Sequence, residues 1–189
     1  MTRARTLRRR RPQIAVAGGG ACTPRTAALA RTLGRELAAA GAIIVCGGLG
    51  GVMSAVAQGA SERNGTIIGL LPGYDRTQGN PWLDITIPTG LGHARNVLVA
   101  ASGDALIALP GEQGTLSEIA LARVLGRPVV VLGAWKELRG VAHARTPKEA
   151  AARAVSLATA GPGRGVPGDF AERTAKHRSR RRARVPRSA

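Results

Sequence analysis

The sequence predicts an α/β fold, a doubly wound and mostly parallel sheet with helices on both faces, on three observations. From Gln13 onward, apolar runs of strand length alternate with segments of helical period, the order that produces right-handed β-α-β units. The strand runs, such as Val129–Leu132, are apolar throughout rather than alternating, as strands covered on both faces must be. Glycine-rich turns follow three of them, and a parallel sheet gathers such turns at its carboxyl edge, where ligands bind. With 189 residues, 44% of them hydrophobic, the chain suits a single domain.

The elements follow in order. Gln13–Ala17 is the first strand. Thr23 caps a helix that has Pro24 at its first position and Leu29, Leu33 and Leu37 on one face, and Gly41 ends it. Residues 42–46 form the second strand, and Gly47-Gly-Leu-Gly-Gly51 leads into a helix with Val52, Val56 and Ala60, stopped by Asn64-Gly65. Thr66–Leu71 is the third strand, followed by a Pro- and Gly-rich passage, 72–81, long enough to be a functional loop. Ile85–Pro88 gives a short strand, 93–102 a helix and 104–109 the strand before the third turn. The helix after Thr115 is expected to turn Leu116, Ile119, Ala120 and Val124 towards the sheet, with Gly126-Arg127-Pro128 as its stop. After Val129–Leu132, Thr146-Pro-Lys-Glu149 opens the last helix with a cap, a Pro at the first position and a capping-box Glu, and the pattern runs to about Leu157.

The net charge of +17 is unevenly spread. Residues 1–12 carry six Arg and no acid, and 160–189 carry nine Lys or Arg against two acids, so the intervening body is only mildly basic. Three segments result: a basic N-terminal extension, 1–12; a folded domain, 13–158; and a basic C-terminal tail, 159–189, expected to be disordered because it cannot bury enough apolar surface. The tails allow non-specific polyanion contact. Trp82, Trp135, Tyr74 and Phe170 are the whole aromatic complement, too few for the stacking platform of single-strand nucleic-acid binding. Cys22 and Cys46 form no C-x-x-C and lie among no His cluster, so neither a zinc site nor a disulfide framework is indicated. No apolar run reaches the length of a membrane span, and a cytoplasmic protein that makes no membrane contact is expected.

Among the motifs, Leu109-Pro-Gly-Glu-Gln-Gly-Thr-Leu-Ser-Glu118 joins a strand to a helix through a Gly- and Thr-bearing turn. A helix start offers unpaired N–H groups and the positive end of the macrodipole, so an anion at Gly114 and Thr115 would meet groups the fold leaves free. Glu118 has two readings, a site carboxylate or the closing residue of an S/T-x-x-E capping box on Thr115. Gly18-Gly19-Gly20 fails as a dinucleotide fingerprint, since Thr23 stands where the last Gly belongs, and Cys46-Gly47 replaces the ribose-binding acid. No Gly-Lys-Ser/Thr triplet of a P-loop exists. His93, His143 and His177 show no partner spacing, and Asp84, Asp104 and Glu137 suit capping or solvated roles, so no metal site is expected.

Taken together, Gly47-Gly-Leu-Gly-Gly-Val-Met53, Arg95-Asn96 and Pro110-Gly-Glu-Gln-Gly-Thr-Leu-Ser-Glu118 resemble, in order and spacing over roughly 13–158, the LOG-like Rossmann proteins once misnamed lysine decarboxylases. The Arg95-Asn96 pair and the Leu-Ser-Glu-Ile-Ala run are most similar to the branch that includes molybdenum cofactor carrier-like proteins. The resemblance implies a Rossmann-like fold and a homodimer. It also implies Arg95 and Glu118 as catalytic residues, and Gly19, Gly20, Gly47, Gly48, Gly50, Met53, Pro110, Gly111, Gly114 and Thr115 as the ligand- and phosphate-binding set. One departure stands out: Glu112 replaces the second Gly of the signature P-G-G-x-G-T-x-x-E, adding a Cβ where positive φ is expected and a negative charge beside a phosphate turn.

Two functions follow from the resemblance. As a nucleoside 5′-monophosphate phosphoribohydrolase of the cytokinin-activating type, requiring no cofactor, the chain would release base and ribose 5-phosphate, with Glu118 stabilising developing positive charge or positioning water and Arg95 holding the substrate. As a non-catalytic carrier or sensor, it would bind a nucleotide or a pterin phosphate such as the molybdenum cofactor at the same edge.

Overall fold

The computed structural model describes residues 10–160; apart from their innermost residues, the two basic tails lie outside this range. The fold is an α/β sandwich around one seven-stranded sheet, ordered β4-β3-β2-β1-β5-β6-β7, in which every pairing is parallel. The strands are β1 (Gln13–Ala17), β2 (Ile43–Cys46), β3 (Thr66–Leu71), β4 (Ile85–Pro88), β5 (Ala105–Ala108), β6 (Val129–Leu132) and β7 (Ala142–Ala144). The helices are α1 (Pro24–Ala39), α2 (Val52–Ser61), α3 (Asn96–Ser102), α4 (Gln113–Val124) and α5 (Pro147–Thr159). The chain winds outward from β1 to β4, then returns to the other side of β1 for β5 to β7, so the order reverses between β1 and β5. The carboxyl ends at such a reversal form the binding crevice of doubly wound sheets.

Strand residues alternate between two cores. Ile14, Val16, Ile44, Ile107 and Val130 meet α1, α2 and α5, whereas Ala15, Val45, Leu106, Ala108 and Val131 meet α3 and α4. The helix starts bear out the cap signals. Thr23 accepts from Thr26 N–H at 3.2 Å and Thr146 accepts from Glu149 N–H at 3.2 Å. Glu149 accepts from Arg145 N–H at 2.8 Å, one residue before the cap rather than at it. Asp84 and Asp104 serve as strand caps, accepting from Ile67 N–H at 2.8 Å and Gln13 N–H at 2.9 Å. Arg11 binds the same amino edge, donating to Gly41 O at 2.8 Å and Thr66 Oγ1 at 3.1 Å. Among the described residues no helix is long and apolar enough to cross a membrane, and both cysteines are free.

Three local expectations are corrected. The helix expected over 93–102 is split, with a 3₁₀ turn over Gly92–Arg95 preceding α3. The edge strand β7 gave no sequence signal, because three residues of intermediate or full exposure carry no apolar run. On α4, Ile119 faces the sheet as expected, joined by Ala122, but Leu116, Ala120 and Val124 are exposed. The apolar pattern of α4 serves two faces, which blurs its period.

Candidate functional site

Three turns converge beside β1. The N–H of Gly19 donates to Pro110 O at 3.1 Å, tying the turn after β1 to that after β5, and Val52 N–H donates to Gly19 O at 3.0 Å, tying it to the turn after β2. The approach is close enough to require glycine at position 111: a Cβ there would overlap Thr115 Oγ1 and stand 2.8 Å from Gly19 N.

Helix α4 starts directly beyond this junction. Its cap residue is Glu112, at φ −112° and ψ −153°, with no side-chain capping bond. The first backbone bond of the helix runs from Leu116 N–H to Glu112 O at 3.0 Å, so the N–H groups of Gln113, Gly114 and Thr115 precede the helical ladder. Positive φ is therefore not used at position 112; the backbone is extended and the side chain exposed, and the expected strain is absent. Nor does Thr115 cap the helix. It is the third helical residue, buried, and among the described residues no hydrogen bond joins it to Glu118.

Glu118 instead turns inward, one turn into α4, to face Arg95 at the end of the 3₁₀ turn. The two are 5% and 8% exposed, and Arg95 Nη1 lies 3.6 Å from Glu118 Oε1, near enough for attraction but beyond hydrogen-bond length. Arg95 Nε is buried without a partner. The guanidinium lies on Gly47, where a Cβ would overlap Nη1 and stand 2.5 Å from Nη2 and 2.6 Å from Met53 Sδ. Burial pushes the Glu118 carboxyl up to about 7 over the opposing pull of Arg95. It likewise draws the Arg95 pKa down, against Glu118 and Cys46, and raises the Cys46 thiol to about 11.

The remaining expected residues divide. Met53 runs from Gly47 towards Gly20, with its Cε 3.9 Å from where a Gly20 Cβ would be. Gly50 lies by Gly20 O, and Gly114 is exposed on the first turn of α4. Gly48 is turned away: its carbonyl accepts from Asn80 N–H at 2.9 Å and Asn80 Nδ2 at 3.1 Å, and a Cβ on it would stand 2.8 Å from Leu71 Cδ2, so it joins β2 to the loop after β3. His93 is exposed, and His143 Nε2 lies 3.2 Å from Leu138 O, away from this group. Among the described residues no group of three or more His, Cys, Asp or Glu side chains could hold a metal ion.

Asn96 lies beside this group although the sequence does not mark it as a site residue. It is 7% exposed, and its Nδ2 donates to Ser117 Oγ at 2.8 Å. The available signal was its place: a polar residue beside Arg95 opening the otherwise apolar run Val97-Leu-Val-Ala-Ala101.

This chain is similar to known proteins in sequence and in structure. An uncharacterized protein of Archaeoglobus fulgidus is 41% identical over 138 residues, covering 73% of this chain and 91% of its own. The molybdenum cofactor binding protein of Rippkaea orientalis is 35% identical, with a TM-score of 0.74 over 79% of this chain and 99% of its own. The Moco carrier protein of Chlamydomonas reinhardtii is 36% identical, with a TM-score of 0.74 over 80% of this chain and 100% of its own. The sequence model of the SLOG cluster4 family matches residues 11–161, four-fifths of the length and every element of the sheet, and the chain belongs to that family.

Proposed function

We propose that this chain binds a phosphorylated, nucleotide-like ligand at the carboxyl edge of its sheet and carries it rather than consuming it. The observation behind the reading is Arg95, a nearly buried guanidinium whose Nε has no partner, on an element next to an uncapped helix start. An unpaired buried donor costs about 1–3 kcal/mol, a cost that a bound anion removes. The N–H groups of Gln113, Gly114 and Thr115 would hold the phosphate, and Arg95 would neutralise it or pair with an adjoining polar group. A pterin phosphate such as the molybdenum cofactor fits these donors, and the two solved relatives named for that cofactor support this class of ligand. The phosphate donors hold the cargo; any metal it brings is part of that cargo.

A specific observation favours the second reading, phosphoribohydrolase activity. Glu118 lies 3.6 Å from Arg95 in a buried setting that raises its carboxyl to about 7, which suits a general base that takes a proton from water. Incubation with a panel of nucleoside 5′-monophosphates and a phosphorylated pterin, assayed for binding, free base and ribose 5-phosphate, separates the two. Binding without base release supports the carrier, base release supports the hydrolase, and no binding of any phosphorylated pterin or nucleotide removes both.

The working form in this reading is a cytoplasmic homodimer. Val97 and Leu98 of α3, with Leu116, Val124 and the following Leu125 of α4, are exposed, and a second copy would cover them. Free thiols at Cys22 and Cys46 are consistent with a reducing compartment.

A further inference from the structure

Arg95 and Asn96 are consecutive at the start of α3, and they face two consecutive residues of α4, Glu118 and Ser117. The two contacts differ in kind. Arg95 and Glu118 stand apart at 3.6 Å, whereas Asn96 Nδ2 donates to Ser117 Oγ at 2.8 Å and lies 3.4 Å from Gly114 O. Ser117 in turn donates to Gly114 O at 2.7 Å. Proton counting fixes the direction of this chain. The single hydroxyl proton of Ser117 is spent on Gly114 O, so Asn96 must present its NH₂ group, and an aspartate could not replace it.

We propose that Asn96, through Ser117, is a positioning residue that sets the gap between α3 and the first turn of α4 and so keeps Arg95 from closing onto Glu118. A free guanidinium and carboxylate would settle at about 2.7–2.9 Å in a bidentate pair. That closure would use up the donors of Arg95 and draw the carboxyl down. The clamp spans the same two elements one residue along, and it also holds Gly114, whose N–H is one of the exposed donors of the helix start. The inference deepens the ligand-site reading and rests on it for what the gap serves. The gap itself is a property of the free protein, so the two can fail separately.

The test is the titration of the Glu118 carboxyl followed by carbon NMR in the full chain without ligand. The charged group acting on it is Arg95, from the 3₁₀ turn; the Cys46 thiol at the end of β2, which burial and Glu118 push up, stays protonated across the titration. In Asn96→Ala the midpoint falls by about one pH unit or more as the guanidinium closes. Ser117→Ala, a smaller change that keeps the helix intact, moves it in the same direction. Water entering a loosened site would also lower the midpoint, so both substitutions are repeated in an Arg95→Met background, where there is no guanidinium to close. There they leave the midpoint where Arg95→Met alone puts it. An unchanged midpoint in the single variants, or an equal fall in the Arg95→Met background, would overturn the proposal.

Discussion

Arg95 and Glu118 face one another at 3.6 Å, both nearly excluded from solvent and with no hydrogen bond between them. A structural ion pair at this depth would be expected to form charge-assisted bonds that offset its desolvation. This one does not, and burial holds the carboxyl at about 7. The pair is therefore a source of instability in the free protein, as binding sites often are.

A pH dependence follows. The folded-state pKa of Glu118 lies above its unfolded value, so between about pH 4.3 and about pH 7 the folded chain holds a proton that the unfolded chain has lost. Stability from this group is full below that window, falls as pH rises through it and stays low above it. Glu118→Gln, uncharged throughout, lacks this fall. Denaturant unfolding at about pH 5 and about pH 8 is expected to show the variant gaining about 2–3 kcal/mol on wild type between the two. A constant difference would place the carboxyl in an ordinary environment.

Gly47→Ala tests the seat of Arg95. The new methyl would occupy the space of both guanidinium nitrogens and of Met53 Sδ, so the arginine must move. Affinity for a phosphorylated ligand is expected to fall at least about 10-fold, equivalent to about 1.4 kcal/mol, in a protein whose circular dichroism is unchanged. Full affinity in the variant would show that Arg95 need not lie where it does.

Much of the architecture was legible in the sequence, and the reasons are local. Thr23-Pro24 and Thr146-Pro147 start helices by satisfying N–H groups and fixing φ, and those signals do not depend on the rest of the fold. The convergence of the three turns was readable because a parallel sheet fixes which end of each strand they occupy. What escaped depends on tertiary contact. The three residues of β7 are recruited by the edge of β6, and α4 presents Leu116 and Val124 outward although its composition points them in. Glu118 satisfies the sequence pattern of a capping box, and only the packing of α3 against α4 turns it to Arg95 instead. Asn96 is the same case: its importance lies in a partner 21 residues away.

The outward face of α3 and α4 predicts an assembly. Leu98→Glu combined with Leu116→Glu puts charge on the exposed apolar face without touching the buried side of either helix. Light scattering is expected to show a dimer for wild type and a folded monomer for the double variant. A wild-type monomer would remove the proposed interface.

The basic tails predict a separable activity. Helix α5 ends at Thr159, so removal of 161–189 is expected to leave the thermal midpoint unchanged. Removing 1–9 as well takes away most of the excess positive charge, and salt-sensitive binding to duplex DNA is expected to be largely lost. Undiminished DNA binding by the trimmed chain would locate a basic surface on the folded body.

The most direct measurement is calorimetric titration of the full chain with nucleoside 5′-monophosphates and with the same nucleosides lacking phosphate, in wild type and Arg95→Met. If the uncapped start of α4 and the Arg95 guanidinium form an anion site, at least one monophosphate binds about 10-fold or more tightly than its nucleoside, and Arg95→Met abolishes most of that advantage. Equal affinity with and without the phosphate, or an advantage that survives the loss of Arg95, would contradict the assignment of this edge as a phosphate site.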